Sequence, residues 1–187
     1  MVPFGLSDDG NLGDHRVVTA NHHGRHIIQV AAAPLDTLDL PITGQLAIKI
    51  DAQGAEPAII LGGLETFAKA SFIVLEFCPY MIDQLGGDPA IVFNYVASFE
   101  RVALMEGEGE GELTFGSSGT GCATLRRVFE ESRFDQDTYL DVYAYRNVQP
   151  APRPIDATMM LRNETLQDPP DPHCKLGRGA APMPTGL

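Results

Sequence analysis

The sequence predicts an α/β fold in which helices cover a mostly parallel sheet, and three observations predict it. From Leu46 onward, apolar runs and helical patterns alternate as strand, helix, strand, helix, strand, helix, strand, the order that lays helices against a parallel sheet. The runs "LAIKI" (46–50) and "SFIVLEF" (71–77) are short and nearly continuously apolar, as expected of strands covered on both faces. Each finishes at or near an acid, Asp51 and Glu76. In open α/β sheets, ligands bind outside the carboxyl ends of the strands.

The segment before Leu46 reads as short strands and loops. "LSDDGN" (6–11) is a turn, because Asp-Gly accepts positive φ at little cost. "RVVTA" (16–20) and "HIIQVA" (26–31) are β-branched runs on either side of a His/Gly loop, a pattern that predicts a hairpin. "PLDTLDLP" (34–41) is a connector bounded by Pro34 and Pro41.

After the strand at 46–50, one helix is predicted over about 56–68. Pro57 suits a first helical position, where a missing N–H costs nothing. Ile60, Leu64 and Phe67 fall at helical spacing, with Glu65 and Lys69 as an i,i+4 pair. The strand at 71–77 follows. In "GGDPAIVFNYVASFE" (86–100), Asp88 is an N-cap and Pro89 follows it, with Val92, Tyr95, Val96 and Phe99 on one face. "RVALME" (101–106) is a third strand, "GEGEGE" (107–112) an exposed loop and "ELTF" (112–115) a short hairpin arm. "TLRRVFEESRF" (124–134) is a helix with Leu125, Val128 and Phe129 inward and the pairs Arg126–Glu130 and Arg127–Glu131 facing water. "TYLDVYAYRN" (138–147) alternates as a last strand. Residues 1–147 therefore make one domain. Residues 148–187 are rich in proline and glycine with little periodicity and read as an extended or disordered tail.

Composition narrows the function. The net charge is -12, and phosphate binding needs a basic stripe, so nucleic acid is not an expected partner. No apolar run is long enough to cross a bilayer and no leader pattern stands at Met1, so a cytoplasmic location is expected. Cys78, Cys122 and Cys174 are odd in number and match no zinc or redox spacing; they read as buried or incidental thiols. His22 and His26 are four apart, but Gly24 lies between them and the segment is not helical, so no metal site is expected. "GSSGTG" (116–121) precedes a helix but lacks the P-loop lysine, and reads as a loop and helix cap.

Asp51 and Glu76 are the residues most suited to chemistry. A strand holds each acid at a rim, Gly54 lets the chain turn without blocking a crevice, and the helix start adds a positive dipole nearby. Pattern alone favours a second, structural use, since carboxylates near helix starts are common: Asp51 satisfying free N–H groups of the turn, and Glu76 pairing with Lys49 or an arginine.

"LDTLDLP", "LAIKIDAQGAEPAIILGGLETF" and "FIVLEF" together resemble the core signature of FkbM-type methyltransferases. The matching residues are Leu35-Asp36, Lys49-Ile50-Asp51, Gln53-Gly54-Ala55-Glu56, Leu61-Gly62-Gly63 and Glu76; "FGLSDDGN" (4–11) resembles an element earlier in the same family. The turn's usual glutamate is Gln53 here, which removes a charge. The resemblance covers about 4–77, and through 147 by element order alone. It implies a Rossmann-like, doubly wound sheet of the class I methyltransferase type and transfer of a methyl group from S-adenosylmethionine to a hydroxyl of a sugar or small metabolite. It makes Asp51 and Glu76 the candidate catalytic residues, and Asp51 and Gln53 the candidate cofactor-binding residues, with no metal. The family's glycine-rich turn and ribose-binding acid belong upstream of the "LSD" element, and neither is found ahead of Phe4. The expectation is therefore an N-terminally incomplete domain with its early strands missing, with 46–50 as an edge that the runs at 16–20 and 26–31 cover, that another chain covers, or that leaves the chain poorly stable alone, and with weak or no cofactor binding. The competing expectation is a non-catalytic binding or pairing module on the same scaffold.

Overall fold

A computed structural model describes residues 1–7, 14–19, 24–106 and 112–147. Most of the turn at 6–11, His22 and His23, the Glu/Gly run 107–111 and the segment 148–187 with Cys174 lie outside the described residues.

The first strands form a small antiparallel sheet. β1 (Val2–Leu6) is central, with β2 (Arg16–Val17) on one side and β3 (His26–Val30) on the other. The expected hairpin between 16–20 and 26–31 is therefore corrected: both runs pair with β1 and not with each other. β1 matches β3 from Val2 opposite Val30 to Leu6 opposite His26. Five ladder positions on β1 outcompete a local turn rich in histidine and glycine.

The main sheet has five strands, in order β4 (Leu46–Ile50), β5 (Ala70–Phe77), β8 (Leu140–Tyr145), β6 (Arg101–Glu106), β7 (Gly116–Ser117). The molecule is α/β, as expected, but the sheet is mixed. β4 and β5 are parallel, while β5–β8, β8–β6 and β6–β7 are antiparallel. β4, β5 and β6 thus run one way, with β8 inserted the other way between β5 and β6. The cause is β7, which pairs with Arg101 and Val102 at the start of β6. The chain has already returned to that end before α5 (Ser118–Ser132) begins. The helix's 15 residues carry it about 22 Å back across the sheet, so β8 must descend.

Other elements differ in detail. The helix expected over 56–68 is two, α1 (Glu56–Gly62) and α2 (Leu64–Ala68). Asp36 makes the break: its carboxylate accepts from the N–H of Glu65 at 2.8 Å and of Thr66 at 2.9 Å, which begins a new helix there. α3 (Pro79–Gln84) was not foreseen, whereas α4 (Pro89–Ala97) starts on the Asp88 cap as expected. Residues 112–115 are not a strand. α5 starts six residues before 124 and absorbs most of "GSSGTG". Gly121 lies against β6, where a Cβ would come within 2.7 Å of Val102 Cγ1. Arg127 pairs with Glu131 as expected, but Arg126 lies over the Phe93 ring, 4.8 Å from its centroid.

One face of the sheet holds the core. Ile73, Leu75, Phe77, Val142 and Ala144 are fully buried against Ile60, Phe67, Val92, Tyr95 and Leu125 of the helices. Tyr95 stacks edge-on with Phe67 and Phe99, and its hydroxyl donates to the Phe67 carbonyl at 3.3 Å. Cys78 and Cys122 are buried thiols. The expectation that both faces of β4 are covered is corrected: Ala47 and Lys49 are exposed. β4 is one of the two edge strands, with β7 at the other edge, and among the described residues the small sheet does not pair with it. Among the described residues, no helix is long and apolar enough to cross a membrane.

Candidate functional site

The segment after β4 turns sharply. Gln53 has φ 51° and Gly54 φ 96°, both in the left-handed region that a non-glycine residue enters only at a cost. At Gly54 a Cβ would overlap the backbone carbonyl of Met81, so the turn presses against α3. Glu56 holds the turn from inside. Its Oε1 accepts from the N–H of Ala52 at 3.0 Å and of Gly54 at 3.1 Å. Burial pushes its carboxyl up from the usual range, against the pull of those hydrogen bonds.

This turn projects Gln53 across the strand ends. Gln53 Nε2 donates to Glu76 Oε1 at 2.8 Å and lies 3.3 Å from Asp51 Oδ1. Asp51 and Glu76 therefore share one rim, joined by one amide. Lys49 Nζ donates to Asp51 Oδ2 at 3.1 Å, an open ion pair in which the lysine is 68% and the aspartate 38% exposed. Glu76 also stands directly opposite Asp141 on β8, so the two side chains share a face. Partial burial raises the Glu76 carboxyl to about 6, and the charges of Asp51, Glu56 and Asp141 add to the rise. Burial raises Asp141 as well, with Lys49 opposing and Asp51 reinforcing.

A cleft of about 300 Å³ opens beside this rim, lined by Gln53 and Glu76 from the strand ends and by Tyr80 and Met81 from α3. Arg16 of the small sheet also lines it, as do Gln136 and Tyr139 just ahead of β8. Asp51 adjoins the cleft through Gln53 but is not part of its lining. Among the described residues, no three His, Cys, Asp or Glu side chains are grouped so as to hold a metal ion.

Sequence reasoning named Asp51, Gln53 and Glu76, and the fold brings all three together. It missed Arg16, Tyr80, Gln136, Tyr139 and Asp141. The alternation in 138–147 was enough to put Asp141 on a polar face, but nothing local revealed that β8 would lie against β5. Comparison with family models, curated proteins and solved structures returned no match.

Proposed function

We propose that this chain carries the catalytic rim of an S-adenosylmethionine-dependent methyltransferase of FkbM type, acting on a hydroxyl of a small metabolite. The observation that carries the reading is the Asp51–Gln53–Glu76 bridge opening onto a cleft at the ends of two neighbouring parallel strands. In this reading β4, β5 and β6 with their intervening helices would be one βαβαβ half of a doubly wound, Rossmann-like sheet; their common direction supports it, with β8 lying antiparallel between β5 and β6.

The acid rim suits the ammonium of the cofactor's methionine moiety, and the cleft's about 300 Å³ is at the low end for a small-molecule site. Asp51, with Gln53 beside it, would hold that end. When bound, the cofactor supplies the methyl group. Glu76 is the base: with its carboxyl near 6, it is ionised at neutral pH yet poised close to it, as proton abstraction favours. Gln53 occupies Glu76 Oε1, which leaves Oε2 to take the acceptor's hydroxyl proton. The rigid strand ends supply the alignment that in-line displacement requires.

The test is nuclear magnetic resonance of the 187-residue chain titrated with S-adenosylhomocysteine. Shifts centred on Gln53 and Glu76, weaker than micromolar and lost in Asp51→Asn, are expected. Saturating ligand that leaves Gln53 and Glu76 unmoved sinks the reading, and micromolar affinity removes the expectation of an incomplete cofactor site. A second reading, a non-catalytic pairing module, is favoured by the outermost position of β4. Self-association that a proline at Lys49 abolishes would support it.

A further inference from the structure

Among the described residues, Arg16 is the one cation in the cleft's lining, and methyl transfer gives it no role. It comes from β2, outside the main sheet, yet lines the same cavity as Gln53 and Glu76. Its guanidinium is fixed on two sides. Nη2 donates to Asp14 Oδ1, and Nη1 donates to Met81 Sδ at 3.0 Å. A thioether is a weak acceptor, so that N–H is poorly satisfied. Nε–H is buried with no acceptor among the described residues, an uncommon state for a buried donor.

The charge around it is unbalanced as well. Asp14 Oδ2 accepts from Arg25 Nη2, and the Asp14 carbonyl accepts from Arg25 Nη1 at 2.7 Å. Among the described residues, one carboxylate thus serves two guanidinium groups, leaving one positive charge in surplus within this group. Partial burial opposes ionisation of Asp14, but the hydrogen bonds and charges of Arg16 and Arg25 outweigh it and hold the carboxyl below its usual range. Among the described residues, the carboxylate that pairs with Arg16 is Asp14, not Glu76. In a chain of net charge -12, a surplus cation on a cavity wall is a specific feature.

We propose that Arg16 binds an oxyanion of the ligand, so that the cleft takes a small hydroxylated acid with its hydroxyl at Glu76 and its carboxylate or phosphate at Arg16. The hydroxyl half rests on the methyl-transfer reading; the oxyanion half stands without it. A guanidinium fork matches both oxyanions in geometry. Glu76 on the cleft wall, with Asp51 and Asp141 beside it, disfavours an anion on its own side, which gives the ligand a direction. A neutral sugar would leave the surplus charge of Arg16 uncompensated.

The experiment is ligand-observed magnetic resonance on the full chain without cofactor, using glucose, glucuronate and glucose 6-phosphate at tens of millimolar. One or both acids are expected to bind at least tenfold tighter than glucose, and the stronger of the two identifies the oxyanion. Arg16→Gln should abolish the preference, leaving glucose unchanged. Arg25→Gln, which lets Asp14 neutralise Arg16 alone, should weaken the acids a few fold without altering the cleft wall and covers the case in which Arg16→Gln unfolds. Equal binding of all three sugars, no binding of either acid, or a preference that survives both substitutions overturns the proposal. An acid preference in a chain that gives no shift with S-adenosylhomocysteine would remove the methyltransferase reading and leave this site standing.

Discussion

Asp36 and Asp51 look alike in the sequence: each is an aspartate that directly follows an aliphatic residue. In the fold they part. Asp36 spends both oxygens on the N–H groups of Glu65 and Thr66. Among the described residues, Asp51 meets the side chains of Lys49 and Gln53 at an exposed rim and no main-chain donor. The same contrast separates Glu56, buried and holding two N–H groups of the turn, from Glu76, half-buried beside a cleft. A carboxylate held by main-chain donors builds structure, through both oxygens in Asp36 and through Oε1 in Glu56, whose Oε2 is buried without a partner among the described residues. One held by side chains alone keeps capacity for a ligand. Two of the residues that carry the family resemblance thus explain themselves by folding, and two do not.

Four substitutions sharpen or break this contrast. Gly54→Ala should have the largest effect, because it adds a Cβ against the Met81 carbonyl at positive φ. A loss of about 3 kcal/mol in urea unfolding is expected, and a neutral result would mean the turn does not press on α3. Asp36→Ala should cost about 1–2 kcal/mol, as lost caps do, with no change in the titration of Glu76. Movement of that titration would couple the two regions and break the contrast.

Glu76→Gln comes next. Glu76 holds its proton more tightly in the folded chain than its ordinary 4.5 allows, at about 6. Its stabilising contribution is therefore full below pH 4.5 and lost as pH rises through 6. The amide avoids that loss, so the variant should exceed the parent above neutrality by about 1 kcal/mol once solvent screening is allowed for. Equal stability on both sides of the transition would mean that Glu76 titrates ordinarily. Gln53→Gly should be smallest in stability, a gain of about 1 kcal/mol or less from relieving left-handed backbone. The lost hydrogen bond should move the Glu76 titration upward, since that bond favours the ionised form. A downward move would show that Gln53 does not support the carboxylate.

Legibility followed the range of the forces involved. Strands 46–50 and 71–77, the Asp88 cap and the inward residues Leu125 and Phe129 were read from local pattern, because apolar periodicity and capping act within a few residues. The central place of β1, the helix break at Gly63 and the descent of β8 were not. Each depends on a partner far along the chain: β3 for β1, Asp36 for α2, and the β7 turn-back for β8. The candidate site divided the same way. Asp51, Gln53 and Glu76 stood out in the sequence, while Arg16 and Asp141 reached the rim only through tertiary placement.

By itself, the sequence determined that this protein is α/β, that its strands end on acids, and that a glycine-bearing turn links the first of them to a helix. Those features follow from side-chain pattern and backbone freedom, which are properties of neighbouring residues. Only the tertiary structure decided that the sheet is mixed, that Glu76 stands opposite Asp141, and that Arg16 lines the same cleft as Glu76. These are outcomes of which surfaces meet, and electrostatic energy depends on distance through space, not along the chain.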